Sequence, residues 1–195
     1  MKKAVLFDMD GVLIDSEVVM LDAAIEGLGA FGIHATPEDF APFVGAGEDA
    51  YLGNVVRKYG VDYTLAVKSH VYDVYGEKIN HTYTCPRAGE IIAALTAKEI
   101  PFAICSSADK AKIHHNLRAL GIPETAFPAI VSGEDVTHNK PAPEIYEKGA
   151  AILGVKPEEC IVVEDTLNGI RAGKSSGATT VAVGTSLNLT DFIAG

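Results

Sequence analysis

The 195 residues include no tryptophan and only three cysteines, and lysine plus arginine (16) are outnumbered by aspartate plus glutamate (26). Each shortage excludes something. A net charge of -10 works against general affinity for nucleic acid or an anionic membrane, although a local lysine or metal can still receive a phosphorylated small molecule. Cys85, Cys105 and Cys160 lie 20 and 55 residues apart, which is neither a disulfide framework nor a CxxC motif. Cys105 and Cys160 fall in apolar runs and read as buried small residues. An odd, unpaired set of thiols suits a reducing cytosol. Long hydrophobic runs are missing too. Met1-Lys2-Lys3 is basic, but the apolar run after it ends at Phe7, too short for a signal sequence or a membrane span. The expectation is a cytoplasmic monomer with no nucleic-acid or membrane partner. No internal repeat or low-complexity tract is present.

What remains is ordinary globular material, 48% hydrophobic and 22% charged, long enough for a core plus a small accessory domain. Short apolar runs at Ala4–Phe7, Phe102–Cys105, Ala129–Val131, Ile161–Val163 and Thr179–Val183 predict strands buried on both faces of a parallel sheet. Between them, apolar residues recur at spacings of three and four, as in Ile113, Leu117 and Leu120, and Gly121, Gly154 and Gly177 sit where helices should end. From about residue 85 the alternation predicts a doubly wound, Rossmann-like α/β core. Residues 16–80 break the alternation and predict four successive helices, Ser16–Phe31, Thr36–Phe43, Glu48–Tyr59 and Thr64–Ile79. Thr36-Pro37 reads as an N-cap followed by proline in the first turn. The division expected is an α/β core of 1–15 and 82–195 and a small all-helical cap of 16–81. Only Leu189–Ile193 is available for a closing helix.

Four strings carry candidate chemistry, three of them at the carboxyl end of an apolar run, the edge where ligands bind in open parallel sheets. In Phe7-Asp8-Met9-Asp10-Gly11, residues two apart on a strand share a side. Two carboxylates about 4 Å apart repel by roughly 4 kcal/mol near a surface, so a cation is the usual compensation. Alone, the string also fits an acidic turn or a calcium loop, though no EF-hand pattern follows. Ser106-Ser107 after Ile104-Cys105 offers hydroxyls and N–H groups to an anion, or simply a helix cap. Lys140 sits between His138-Asn139 and Pro141-Ala142-Pro143, whose prolines hold the backbone rigid; alone it is surface lysine. Glu164-Asp165 ends a third run with paired acids suited to an oxygen-ligand cation.

Together the strings resemble, in order, the four motifs of the haloacid dehalogenase superfamily. DMDGVLIDSE is similar to motif one, ICSS to motif two, Lys140 of NKPAPEIY to motif three and VVEDTLNGI to motif four. The resemblance spans essentially the whole chain, and the helical insert resembles the cap of the phosphoglycolate phosphatase and β-phosphoglucomutase-like subfamily. It implies a Mg²⁺-dependent phosphatase of a small phosphate ester, such as a sugar or polyol phosphate. Asp8 would be the nucleophile and Asp10 the general acid and base. Ser106, Ser107 and Lys140 would hold the phosphoryl group, and Asp8, Asp10, Glu164 and Asp165 the metal. The cap loop Gly45-Ala46-Gly47-Glu48 would set specificity, or is an ordinary helix–helix turn.

A sugar phosphomutase on the same scaffold is the alternative. Those mutases typically carry a histidine where Met20 stands and an arginine on the loop that here offers Glu48. Dehalogenase and phosphonatase branches generally lack the second aspartate, present as Asp10. A receiver-type signalling domain places its acids in a different chain order, and a silent binding protein finds no support because all motif residues are intact. The adjacent His114 and His115 point about 100° apart on a helix and do not chelate together; no histidine shows ligand spacing. The tyrosines of the insert, Tyr51 to Tyr83, read as cap packing.

Overall fold

The computed structural model describes residues 2–43 and 47–184. The Leu189–Ile193 stretch and Gly45 and Ala46 of the candidate loop lie outside the described residues. Five strands form one parallel sheet: β1 (Ala4–Phe7), β2 (Phe102–Cys105), β3 (Ala129–Val131), β4 (Cys160–Glu164) and β5 (Thr179–Ala182). Their order is β3-β2-β1-β4-β5, so the winding reverses at β1. Crossover helices returning to either side of β1 leave a crevice beyond its carboxyl end. The register puts Phe7 opposite both Ile104 and Val163, which brings the ends of β1, β2 and β4 level.

Eight α-helices are described: α1 (Glu17–Gly29), α2 (Pro37–Phe40), α3 (Glu48–Lys58), α4 (Leu65–Lys78), α5 (Ala88–Ala97), α6 (Lys110–Leu120), α7 (Glu144–Ile152) and α8 (Leu167–Ser175). Successive strand residues face opposite layers. Leu6, Ala103, Cys105 and Val162 pack against Ile145, Tyr146 and Ala150 of α7 and Ala172 of α8. Phe7, Phe102 and Ile104 share the opposite cluster with Ile92 of α5 and Ile113 and Leu117 of α6. β1 to β4 are largely buried and carry the apolar runs that covered strands need; β5, expected to be buried on both faces, is instead a mostly exposed edge strand that begins Thr179-Thr180.

The four inserted helices start and stop close to their expected positions, and the second is cut short. α2 ends at Phe40 and a 3₁₀ turn, Ala41–Phe43, completes that segment. The Thr36 N–H donates to Asp39 Oδ2 at 2.8 Å, so the expected N-cap is closed by its own third helical residue. α1 packs on α4, and α4 on α6. Tyr75 and Tyr72 of α4 are buried, in keeping with their reading as packing residues. Between α4 and α6, Tyr75 donates to Asn116, Arg118 donates to the Gly76 carbonyl, and Lys68 pairs with Asp109. The two connections to the insert run side by side: Asp15 N–H donates to Tyr83 O at 2.7 Å and Cys85 N–H to Leu13 O at 3.0 Å. Cys105 and Cys160 are buried free thiols and Cys85 is half-buried. No helix of the described residues is long and apolar enough to cross a membrane.

Candidate active site

The four strings meet at the carboxyl edge of the sheet. A cavity of about 200 Å³ between that edge and the inserted helices is lined by Asp8, Asp10, Ser106, Lys140, Glu164 and Asp165, and from the other side by Met20, Phe43, Glu48 and Tyr51. Asp8 is the first residue past β1, its N–H still donating to Val163 O at 3.0 Å. Gly11 then turns the chain at φ +73, a conformation open to glycine at no steric cost; a Cβ there would overlap the Asp165 carboxylate. Sequence spacing at Asp8-x-Asp10-Gly11 therefore has a packing reason as well as a chemical one.

Lys140 enters this edge from the loop ahead of α7, which begins only after Pro143. Its ammonium donates to Asp8 Oδ1 and to Glu164 Oε1, each at 2.7 Å. Its side chain is 6% exposed, and those of Asp8 and Glu164 are 9% and 0% exposed. Burial pushes the Asp8 carboxyl well above the usual carboxylate range, with Lys140 opposing and Glu164 and Asp10 adding to the rise. Burial pushes Glu164 the same way, but Lys140 and the hydrogen bonds around it bring that carboxyl below its ordinary value.

Both oxygens of Glu164 accept hydrogen bonds. Tyr146 donates to Oε1 at 2.9 Å, and the N–H groups of Asp165 and Thr166 and the Thr166 hydroxyl donate to Oε2 at 2.9–3.0 Å. A Cβ at Gly169, in the first turn of α8, would collide with this carboxylate, so the close approach requires glycine there. Glu164, expected to help hold a metal, also braces Lys140 and the β4–α8 turn.

Asp8, Glu164 and Asp165 nonetheless form a buried trio whose ligand oxygens lie within 4.8 Å of one another. Lys140 pairs with two of the three, Asp8 and Glu164, and an oxygen-rich buried trio is the donor set that a hard divalent cation takes. The residues present fit such an ion.

Asp10 is held by residues the sequence reading did not single out. Lys112 of α6, 7% exposed at its side chain, sets its ammonium 3.1 Å from Asp10 Oδ2 and 2.9 Å from Glu48 Oε1. Asn116, one turn further along α6, donates to Asp10 Oδ1 at 3.1 Å, and Ser16 donates to the same oxygen. Burial alone would lower the Lys112 pKa, but Asp10 and Glu48 lift it well above the ordinary lysine value. The available signal was helical phase: Lys112 and Asn116 are four apart beside the apolar face of Ile113 and Leu117.

Ser106 is buried, and its hydroxyl oxygen accepts from the Ala108 N–H at 3.2 Å. α6 starts only at Lys110, with Asp109 at its N-cap, so Ser106 and Ser107 occupy a turn ahead of the helix, a correction to the expected helix start. Ser107 also lines the cavity. Of the candidate loop, Gly47 precedes α3 at φ +90 and Glu48 is the first residue of that helix. The histidines stay outside the site: His114 and His138 pair with Glu124 and Glu144 on the surface.

Residues 2–177 match the family model for haloacid dehalogenase-like hydrolases. Over 95% of its length the chain is 38% identical to the protein SUPPRESSOR OF QUENCHING 1, chloroplastic, of Arabidopsis thaliana, and it spans 18% of that protein. It is 29% identical to the 6-phosphogluconate phosphatase of Escherichia coli, covering 90% of this chain and 79% of the relative. A crystal structure of β-phosphoglucomutase from Clostridium difficile superposes with a TM-score of 0.79 at 25% identity, covering 97% of this chain and 88% of the other.

Proposed function

This chain belongs to the haloacid dehalogenase-like hydrolases, and we propose that it is a magnesium-dependent phosphatase of a small phosphorylated metabolite, working through an aspartyl phosphate on Asp8. The observation that carries the reading is the pairing of Asp8 with Lys140 inside a buried carboxylate cluster at the switch point of the sheet. The oxygens of Asp8, Glu164 and Asp165 lie within 4.8 Å of one another, a donor set suited to a hard divalent cation. Phosphatases of small phosphorylated compounds among the relatives support it, including one named for 6-phosphogluconate.

In this reading the free Asp8 oxygen attacks phosphorus, a new P–O bond forms, and the ester P–O bond breaks. Asp10 gives its proton to the departing alkoxide. It then takes a proton from the water that attacks the phosphorus of the aspartyl phosphate, and the Asp8–phosphorus bond breaks to release inorganic phosphate. Lys140, anchored by Glu164, balances charge on Asp8 and on the phosphoryl oxygens, and Ser106 and Ser107 hold those oxygens from the β2 side. Asp8, Asp165 and the Asp10 carbonyl, with Glu164 behind them, would hold Mg²⁺, which supplies charge neutralisation between an anionic nucleophile and an anionic substrate.

Residues 16–81 would act as a cap that closes over the leaving group and excludes water. Met20 and Glu48 line the cavity where a mutase would need a histidine and an arginine, so hydrolysis is favoured over phosphoryl return. The cytoplasm is the proposed compartment and a monomer the proposed state; the plant relative is chloroplastic by name.

The test is inorganic phosphate release from sugar, polyol and carboxylate phosphates with Mg²⁺, with and without chelator. Turnover that chelator stops, and that Asp8→Asn and Asp10→Asn both lose, supports the reading. Conversion of a hexose 1-phosphate to the 6-phosphate without phosphate release overturns it in favour of a mutase.

A further inference from the structure

The phosphoryl end of the cavity belongs to Lys140, Ser106 and the acidic trio, which leaves the far end for the group the phosphate is attached to. Besides the residues of the phosphoryl end, the described lining holds the carboxylates of Asp10, Asp15, Glu17 and Glu48 and, apart from Lys140, one cation, Lys112. That cation is already engaged on both sides, 3.1 Å from Asp10 Oδ2 and 2.9 Å from Glu48 Oε1. Outside the described residues, Met1 and the segments 44–46 and 185–195 contain no lysine, arginine or histidine, so no further side-chain cation comes from them. Glu48 is held by one oxygen only: Oε1 takes Lys112, while Oε2 is buried without a hydrogen-bond partner among the described residues. A buried carboxylate oxygen left without a donor is costly. Tyr51 beside it stays protonated, its pKa pushed up to about 12 by burial and then by Glu48. Met20 and Phe43 supply the apolar wall.

We infer that this site selects phosphate esters whose leaving group is hydroxyl-rich and carries no second anionic group, with Glu48 as the specificity-determining residue. This rests on the phosphatase reading for its direction of use, not for its charge argument. A hydroxyl can donate to the Glu48 oxygen that lacks a donor and accept from Tyr51 or from the remaining Lys112 N–H. A carboxylate or second phosphate in the same place meets the Glu48 carboxylate with no uncommitted cation among the described lining residues to offset it, and like charges brought together out of water weaken binding strongly. The E. coli relative named for 6-phosphogluconate takes a substrate of the excluded kind, so the inference separates this chain from that relative.

Binding is the direct test, because it is independent of turnover. The full chain carrying Asp8→Asn is titrated calorimetrically, with Mg²⁺, against glucitol 6-phosphate and 6-phosphogluconate. These have the same carbon chain and differ at the far end, hydroxyl against carboxylate. The expected result is glucitol 6-phosphate bound at least about tenfold more tightly, the discrimination set by one unpaired charge at the pocket end. Adding Glu48→Gln releases Lys112 and is expected to shrink the difference to within about threefold; its unfolding midpoint checks that the fold is kept. Equal or tighter binding of 6-phosphogluconate, binding of neither ester, or a preference that survives Glu48→Gln in a folded protein overturns the inference. Phosphate release by the wild-type chain from the same esters reports separately: selective binding without release overturns hydrolysis and leaves the charge selection standing.

Discussion

Lys140 Nζ lies 2.7 Å from Asp8 Oδ1, with less than a tenth of either side chain exposed. The same ammonium is 2.7 Å from Glu164. One cation thus serves two buried carboxylates, and losing it strands both.

Lys140→Met is therefore expected to do two things at once. Phosphate release should fall to background. The metal-free protein should also lose about 3–5 kcal/mol of unfolding free energy, the usual cost of breaking a buried pair from one side. Chemical denaturation in chelator measures the second effect, and added Mg²⁺ should restore part of it, since an ion at the trio replaces some of the missing charge. An unchanged denaturation midpoint would show that the pair contributes little to the fold.

Lys112 and Asn116 fix the position of Asp10, which a general acid requires. Lys112→Met is expected to lower turnover of alkyl phosphates by about 10²-fold, the lower end of what general acid catalysis supplies. Turnover of p-nitrophenyl phosphate, whose leaving group departs without a proton, should fall much less. Asp10→Asn should show the same split, more strongly. A Lys112 variant that slows both esters equally would place its role in folding or in substrate binding.

Glu164→Gln keeps the shape and removes the charge that holds Lys140. The expected loss is about 10–100-fold in metal affinity or activity, as for other groups that orient a metal site from behind. Mg²⁺ titration of phosphate release distinguishes a weakened metal site from a lowered maximal rate.

Asp135 gives the acid-side prediction. Burial raises its carboxyl, but Lys110 and the Ser132 N–H and hydroxyl outweigh that and bring it down to about 2. A carboxyl whose folded pKa is depressed from 3.8 contributes stability that is present above the unfolded value and is lost as pH falls through the folded one. The difference in melting temperature between wild type and Asp135→Asn should be constant above about pH 5 and vanish towards pH 2. The group is partly exposed, so high salt should shrink it.

The sheet was legible because β1 to β4 are largely buried and read as short apolar runs, from Ala4–Phe7 to Ile161–Val163, while the edge strand β5 is mostly exposed and was found by its alternation with the helices. The parallel arrangement then makes every polar string that ends a run fall at one edge, so Asp8, Ser106 and Glu164-Asp165 could be grouped before any coordinate was known. Lys140 joined them through its prolines and the need to balance the acids. Lys112 was not legible in that way. Lys110 and Lys112 are two residues apart in the same helix; one reaches Asp135 at the surface and the other is buried between Asp10 and Glu48. Composition cannot separate them, because the burial of Lys112 depends on how α4 of the insert lies against α6, a tertiary fact. The bracing of Glu164 was hidden for the same reason: its partners Tyr146 and Lys140 come from a different crossover. Gly45 and Ala46 lie outside the described residues, while Gly47 and Glu48 of the same loop line the cavity.

The central claim is that Asp8 takes the phosphoryl group, and trapping that acyl phosphate tests it most directly. The protein is mixed with a turned-over phosphate ester and Mg²⁺, quenched in acid, reduced with borohydride and digested. Reduction converts a phosphorylated aspartate to homoserine, which mass spectrometry locates. The account expects homoserine at position 8, dependent on substrate and absent from the Asp8→Asn variant. Modification at Asp10 or elsewhere, or undiminished turnover by Asp8→Asn, would contradict it.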